Sequence, residues 1–166
     1  MIVQGTPQMI PALSRIWEAC FGDSPEYIRF FMEERFPSCR SFVWLEEGTP
    51  VGAAYLLPCA LGERPAYYGY AVGVHPDFQR RGICGQILCS AEKFCTGEGA
   101  VFFVMPRAGV EEYYLKRGFC PGFFHQFHRI LPKGAPPAGL EVSEAETEEY
   151  LLLRDLFFRG PGYVAW

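Results

Sequence analysis

Several patterns that would place this chain in a common class of protein are missing from its sequence. Its 166 residues contain no apolar run of transmembrane length, and the N-terminus lacks the basic and long apolar segments of a signal peptide. Basic residues (15) do not outnumber acidic ones (19), and the net charge of −4 gives no footprint for nucleic acid or an anionic membrane. We therefore expect a cytoplasmic protein with no nucleic-acid and no membrane partner.

The cysteines lack the spacing of a metal or disulfide site. Seven are present, and none forms a Cys-x-x-Cys pair or combines with the three histidines at a spacing typical of zinc. Most lie in apolar runs, where a reduced cysteine behaves as a small hydrophobic side chain, and this favours a reducing compartment. The spacing predicts no metal site and argues against a zinc or redox protein.

The residues that are present alternate between helical and strand patterns. The apolar share of 49% and the aromatic share of 16% indicate a well-packed globular chain of one domain. Periodicity and capping signals predict helices over 6–21, 24–34, 82–94 and 110–116 and a last helix opened by the capping box at 143–146. The predicted strands cover 2–4, 41–45, 51–61, 66–74, 100–105 and 123–131, with 100–105 expected to be central and buried on both faces. This order predicts a mixed α/β sheet with helices on its faces.

The stretch from Val72 to Leu88 narrows the choice of ligand more than any other. An apolar strand ends at a Pro-Asp turn, and the basic, glycine-containing segment 79–82 then opens directly into a helix. Free backbone N–H groups and the positive end of the helix dipole at such a junction suit a pyrophosphate. Arg80 and Arg81 oppose that dipole, which indicates an anion there; a dibasic pair that is merely solvated is the alternative.

The same stretch resembles the hallmark of the GCN5-related N-acetyltransferase (GNAT) family. Gln79 to Cys84 is similar to the family motif Gln/Arg-x-x-Gly-x-Gly/Ala, and Tyr114 to Phe119 is similar to its Tyr-x-x-x-Gly-Phe signature. The resemblance covers residues 1–131 and implies an α/β fold with a GNAT-type mixed, mostly antiparallel central sheet and helices on both faces. It implies acetyl-CoA as co-substrate, and no metal. The residues implied to bind the cofactor are Val72, Gly73, Val74, Gln79, Arg80, Arg81, Gly82, Ile83, Cys84 and Gly85.

Three positions depart from the family pattern. Cys84 replaces a Gly or Ala, and we expect a small packing residue there rather than a reactive thiol. Arg107 replaces an Asn common in the family, and the strand at 66–74 lacks the glutamate that many relatives carry. The general base is therefore open: His75 is expected to be a turn residue, and a base acting through water or an amine that arrives neutral fits equally well.

Tyr114 is the candidate catalytic residue. In acetyl transfer an amine attacks a thioester carbonyl and sulfur leaves as a thiolate, to which a nearby phenol can give a proton or a hydrogen bond. The alternative is that Tyr113 and Tyr114 are both core aromatics on a short helix. The spacing to Gly118 favours Tyr114 as the residue that faces the sulfur.

The resemblance to this family implies an N-acyltransferase that moves an acetyl group from acetyl-CoA to an amine by direct transfer in a ternary complex. The expected acceptor is a small molecule whose pocket is shaped by residues 24–40 and 61–65. The alternative is a non-catalytic acyl-CoA-binding or regulatory module of the same fold. Residues 1–131 are expected to form the acetyl-CoA-binding domain. Residues 132–166 would form a Pro/Gly connector and a C-terminal helix that packs on it or leads to a partner, with a homodimer as one possibility.

Overall fold

The structure is a computed structural model, and it describes residues 1–122, 146–158 and 164–165. The predicted strand over 123–131 and the connector over 133–139 lie outside the described residues. The helices are α1 (Ile10–Phe21), α2 (Pro25–Glu34), α3 (Ile83–Gly97), α4 (Glu111–Leu115) and α5 (Thr147–Phe158). The strands are β1 (Ile2–Gln4), β2 (Arg40–Glu46), β3 (Thr49–Leu61), β4 (Arg64–Val74), β5 (Val101–Val104) and β6 (Val164–Ala165).

The strands form a single sheet in the order β1-β2-β3-β4-β5, and β6 pairs with the far end of β3. Neighbouring strands are antiparallel except for β4 and β5, which run parallel. The predicted fold class, a mixed and mostly antiparallel sheet in an α/β domain, is confirmed.

Helices cover both faces of the sheet, and the alternation of side chains along β3 decides which helix each face meets. Ala53 and Tyr55 pack in the cluster that contains α1 and α2. Ala54 and Leu56 point to the opposite face and pack in clusters that contain α3. Trp17 of α1 is 2% exposed, so the α1 face holds the bulkiest buried side chain of the described core.

A β-bulge interrupts β4 where it passes the later site. Tyr55 pairs with Tyr70 and Ala53 pairs with Gly73, so two residues of β4 stand opposite the single residue between them on β3. Ala71 takes a positive φ of 44° to make this possible. A bulge bends its strand and redirects the side chains that follow. Gly69 and Gly73 flank the bulge in the sequence, but the positive φ falls on Ala71 between them.

Two predicted elements differ in detail from the structure. The strand expected to be central and fully buried is β5, but all four of its residues are only half-buried, and it is the last strand in the described order. Its pairing with β4 ends at Gly69 and Val104, so the C-terminal part of β4 lies beyond the parallel ladder. The first helix begins with a 3₁₀ turn at Pro7–Met9, and α1 proper starts at Ile10.

Candidate functional site

A cleft of about 810 Å³ opens where β4 and β5 cease to pair. Residues Tyr68–Val74 of β4 line it, together with Met105 and Pro106, which directly follow β5. The two segments part because β4 bulges while β5 ends after four residues. The remaining lining comes from α1 and the turn after it, the loop before α3, the first turn of α3, and α4: Trp17, Cys20, Phe21, Asp23, Phe78, Gln79, Arg80, Gly82, Ile83, Cys84, Arg107, Val110, Tyr113, Tyr114 and Arg117.

The loop between β4 and α3 is held in place by bonds to the sheet. The His75 N–H donates to Val51 O at 2.8 Å, and Gln79 Nε2 donates to Val74 O at 2.9 Å. Gly82 then takes a φ of 77°, the left-handed conformation that glycine adopts without steric cost. Its own Cβ position is open, because no atom lies within 4 Å of it. A glycine is therefore favoured at position 82 by the left-handed backbone conformation. Neighbouring atoms would leave room for a side chain there.

The N-terminus of α3 faces the cleft. The first backbone bond into this helix is donated by Gln86 to Gly82 O at 3.2 Å, so the N–H groups of Ile83, Cys84 and Gly85 precede it. No side chain caps the helix at Gly82. Uncapped N–H groups together with the helix dipole make this an anion-binding position.

Three arginines line the cleft, and only one of them belongs to the Arg80-Arg81 pair that the sequence indicates. Arg80 lines the cleft, and so do Arg107 and Arg117. Arg81 does not. Its guanidinium stacks on the Phe78 ring at 5.0 Å from the centroid, donates to Asp77 O at 3.2 Å and lies 3.9 Å from Glu46 Oε1.

Arg117 was not among the predicted cofactor residues. An ideal Cβ on Gly85 would lie 3.2 Å from Arg117 Nε, so the guanidinium packs on the first turn of α3. It is fixed from behind by the Tyr113 ring, 3.4 Å from the centroid, and by a bond from Nη1 to Tyr113 O at 2.9 Å. The basic Lys116-Arg117 pair is visible in the sequence, but nothing in it places the second member against Gly85.

Cys84 and the two tyrosines of α4 meet in the same part of the cleft. Burial raises the pKa of the Cys84 thiol, against the lowering effects of Tyr113 and Arg117. A thiol in this setting is protonated, which favours the packing role over a reactive thiolate. Burial also raises the pKa of Tyr113, and the neighbouring Cys84 adds to that increase.

Tyr114 lines the cleft as predicted, and so does Tyr113, so facing the cleft does not distinguish the two. Their rings stand at 85° to each other, with 5.5 Å between centroids. The Phe119 N–H donates to Tyr114 O at 3.2 Å after Gly118 turns the chain at a φ of 86°. Burial, followed by Cys84 and Tyr68, raises the pKa of Tyr114 to about 12. Its hydroxyl is thus a hydrogen-bond donor across the physiological range.

The side of the cleft next to α1 is aromatic and carries one carboxylate. Asp23 lies in the turn between α1 and α2, and its Oδ2 accepts a bond from Trp17 Nε1 at 2.8 Å. The hydroxyls of Tyr27 and Tyr70 are 2.6 Å apart. Acceptor residues are expected from the sequence at 24–40 and 61–65, but none of these positions lines the cleft, whereas Asp23 and Trp17 do. The signal available was the Ser24-Pro25 helix start, which places position 23 in a turn beside the sheet.

His75, a candidate base among the described residues, does not line the cleft. His75 caps the turn after β4, where its Nδ1 accepts from the Asp77 N–H at 3.4 Å, as expected of a turn residue. His125 and His128 lie outside the described residues. In the part of the chain that the structure describes, no three His, Cys, Asp or Glu side chains form a group able to hold a metal ion. Within the same residues no helix is long and apolar enough to cross a membrane.

The mostly antiparallel sheet opens between β4 and β5, beside the N-terminus of α3. This is the fold class of the GNAT-type acyltransferases, which the motif at Gln79–Cys84 implied. A model of the acetyltransferase (GNAT) family matches residues 6–119. The chain belongs to that family. The prediction that it is an acetyltransferase is therefore confirmed as a class of enzyme.

Solved structures of acetyltransferases share the fold. AAC(6')-Iy, in complex with the bisubstrate analogue CoA-S-monomethyl-acetylneamine, is 17% identical with a TM-score of 0.67, over 80% of this chain and 98% of that chain. A putative acetyltransferase from Agrobacterium tumefaciens is 20% identical with a TM-score of 0.66, over 78% of this chain and 99% of that one. An aminoglycoside acetyltransferase from an uncultured soil metagenomic sample is 23% identical with a TM-score of 0.55, over 79% and 98%. At these identities the likeness shows the fold alone, and no curated protein matches the sequence.

Proposed function

We propose that this chain transfers an acetyl group from acetyl-CoA to the amine of a small molecule, directly and in a ternary complex. The observation that carries the proposal is the single cleft, which has an arginine-rich helix N-terminus on one side and aromatic residues with a carboxylate on the other. One cleft that joins an anion site to a separate amine site fits direct transfer between two bound substrates.

The anion side fits the pyrophosphate of coenzyme A. The N–H groups of Ile83 and Cys84, which line the cleft, would bind phosphate oxygens, with Gly82 shaping the turn and Gln79 anchoring it to Val74 O. Arg80, which the cleft includes, would neutralise the charge. Cys84 fits the small position of the motif because it is a small side chain and is half-buried.

Two members of the predicted cofactor set have indirect roles in this proposal. Arg81 is bound to Phe78 and Glu46, so it would stabilise the loop and contribute only long-range charge. Gly85 does not line the cleft, but its missing side chain leaves room for Arg117 against α3. Val72, Gly73 and Val74 lie beyond the β4–β5 ladder, where their backbone can pair with the amides of a pantetheine arm.

Acetyl-CoA supplies an acetyl group activated as a thioester, and its transfer forms an N–C bond and breaks the C–S bond. An ammonium acceptor gives up two protons in the process: one ends on the coenzyme A thiol and the other in solvent. Tyr114 would donate a hydrogen bond to the departing sulfur. Its pKa of about 12 lies well above the ~8.5 of an ordinary thiol, so full proton transfer to a thiolate is uphill while a hydrogen bond is not.

A small-molecule acceptor fits the size of the cleft and the aromatic lining of its α1 side. The structural neighbours include aminoglycoside acetyltransferases, which supports a small amine as the substrate class. We further propose that residues 1–131 form the acetyl-CoA-binding domain and that 132–166 dock on it or on a partner. Pairing of β6 with β3 supports docking on the domain. We also propose a cytoplasmic location and a homodimer.

The test is acetyl-CoA consumption across a panel of primary amines, with mass spectrometry of the products and calorimetry of acetyl-CoA binding in parallel. We expect an N-acetylated product from at least one amine. Binding of acetyl-CoA with no product from any amine would support the non-catalytic acyl-CoA-binding module instead. No binding at all would overturn both.

A further inference from the structure

The two sides of the cleft carry opposite charge. Arg80, Arg107 and Arg117 line it next to α3 and α4, whereas Asp23 is the one carboxylate among its described lining residues. The basic side suits the phosphates of coenzyme A. The proposed function leaves unassigned what the acidic side binds.

Asp23 is rigidly placed. It lies between the C-terminus of α1, where Gly22 takes a φ of 70°, and Ser24, whose hydroxyl accepts from the Tyr27 N–H at 3.3 Å to begin α2. The indole of Trp17 donates to one carboxylate oxygen at 2.8 Å, and Trp17 is itself buried. Both neighbouring helix ends and one oxygen are thus fixed.

The charge of Asp23 has no counter-ion in the part of the chain that the structure describes. The ion pairs there involve His75 with Asp77, Arg81 with Glu46 and Lys116 with Glu112, and none includes Asp23. A carboxylate accepts about four hydrogen bonds, and Asp23 accepts one from this part of the protein. A half-buried carboxylate that faces a cleft and can accept further hydrogen bonds is most stable when a cation binds it.

Aromatic side chains lie on the same side of the cleft as this charge. The Trp17 ring lies 5.6 Å from that of Tyr70 and 6.2 Å from that of Phe21, and all three residues line the cleft. The carboxylate of Asp23 is tied to this group of rings by its bond from Trp17 Nε1 at 2.8 Å. A carboxylate among aromatic rings is the combination that binds an alkylammonium group through charge and cation–π attraction.

We propose that Asp23 binds the ammonium group of the acetyl acceptor, and that the acceptor is therefore a cationic primary amine with an apolar body that packs against Phe21 and Tyr70. This rests on the proposed function and names its acceptor class and the residue that selects it. Asp23 is a binding residue here: the ammonium group loses one proton to solvent before the neutral amine attacks the thioester, and Asp23 is not the base.

Asp23→Asn isolates the charge. An asparagine has the same shape and keeps a carbonyl oxygen to accept from Trp17 Nε1, so the turn stays intact while the negative charge is lost. Glu18→Gln is the matched control because it removes one carboxylate of α1 that is exposed and lies in the groove between α1 and α2, outside the cleft. Thermal unfolding of both variants checks that they fold.

The experiment compares amines with alcohols of the same shape, by calorimetry at pH 7 and without acetyl-CoA. The pairs are 2-phenylethylamine with 2-phenylethanol and cyclohexylmethylamine with cyclohexylmethanol. The amines are protonated at this pH. We expect the natural chain and Glu18→Gln to bind each amine about tenfold or more tightly than its alcohol, and Asp23→Asn to lose that preference.

Equal binding of amine and alcohol by the natural chain overturns the inference, and so does a preference that survives in Asp23→Asn. Because no acetyl transfer is needed, the result is separate from the proposed function. An ammonium preference that depends on Asp23, in a protein that acetylates none of the panel, would support this site and contradict the enzyme. Where transfer is observed, Asp23→Asn should raise the KM for the amine about tenfold and leave that for acetyl-CoA unchanged.

Discussion

The guanidinium of Arg117 packs against Gly85, and its Nε would be 3.2 Å from a Cβ atom at that position. The contact brings a positive charge to the N-terminus of α3, which is the positive end of the helix dipole. The arrangement is unfavourable until an anion lies between the two. Stacking on Tyr113 and a bond to its carbonyl hold the arginine there.

Replacing Arg117 should weaken acetyl-CoA binding. Loss of one charge-assisted contact to a phosphate predicts about a tenfold higher Kd for Arg117→Ala, and a smaller change at high salt. Lys116→Ala is the control, since that lysine is exposed and pairs with Glu112 at 3.1 Å. Calorimetry at two salt concentrations measures both. Equal effects of the two variants would show that Arg117 acts only through net charge.

The adjacent arginines Arg80 and Arg81 should differ in their effect on the cofactor. Arg80 lines the cleft, whereas Arg81 is engaged by Phe78, Asp77 and Glu46. We expect Arg80→Ala to raise the Kd for acetyl-CoA about tenfold and Arg81→Ala to change it less than threefold. A larger loss for Arg81→Ala would mean that its side chain turns toward the cofactor when the cleft fills.

Gly82 and Gly97 offer the same substitution at two ends of α3 with opposite expected outcomes. Neither Cβ position has an atom within 4 Å, so space does not distinguish them. Gly82 has a φ of 77°, where alanine costs about 1 kcal/mol or more, and Gly97 is helical, where alanine stabilises by about 0.5–1 kcal/mol. Gly82→Ala should lower the Tm and weaken acetyl-CoA binding, while Gly97→Ala raises the Tm. A Tm that is unchanged in Gly82→Ala would contradict the strain argument.

Local signals account for the parts of this molecule that could be predicted. The turn at Pro76, the glycine at 82 and the apolar period of α3 lie within one short stretch, and together they define the junction without any distant contact. Capping chemistry did the same for α2, whose Ser24 accepts from the Tyr27 N–H. The positions of these elements in the sheet followed from their order.

The unpredicted parts of the site depend on residues far apart in the chain. Arg117 meets Gly85 only because α4 follows β5 back to the start of α3, and Asp23 reaches the cleft only because α1 packs across β4. The bulge likewise places its positive φ on Ala71, which is not one of the two glycines beside it in the sequence. The prediction that β5 is buried on both faces is wrong, since its residues are half-buried. A short apolar run has the same sequence pattern in a central strand and in a strand at the end of a sheet.

Buried thiols predict a loss of stability at alkaline pH. Burial raises the pKa of Cys39 from 9.0 to about 12 and that of Cys95 to about 11. From pH 9 upward the unfolded chain therefore releases thiol protons that the folded chain retains. The free energy of unfolding then falls as pH rises, by at most about 1.4 kcal/mol per pH unit for each group.

Urea unfolding between pH 8 and 11, with reductant present, measures this slope. Cys39→Ala should unfold more easily at every pH, because it leaves a cavity, but its slope above pH 9 should be shallower than that of the natural chain. Cys89→Ala is the control, since Cys89 is exposed on α3. The linkage is disproved for Cys39 if both variants keep the full slope.

Tyr114→Phe tests the chemistry most directly, because it removes one hydroxyl and keeps the ring that packs on Phe119 at 5.4 Å. A hydrogen bond formed to sulfur only as negative charge develops there stabilises the transition state more than the bound substrates. We therefore expect kcat to fall by about 10- to 100-fold with little change in the Kd for acetyl-CoA.

Tyr113→Phe removes the hydroxyl next to Cys84 and should leave kcat within threefold, since its partner there is the chain's own thiol. Because the pKa of Tyr114 is about 12, the natural enzyme should also show no loss of kcat from this residue up to pH 10. Unchanged turnover in Tyr114→Phe would remove it from the mechanism, and a loss shared equally with Tyr113→Phe would assign both hydroxyls to packing.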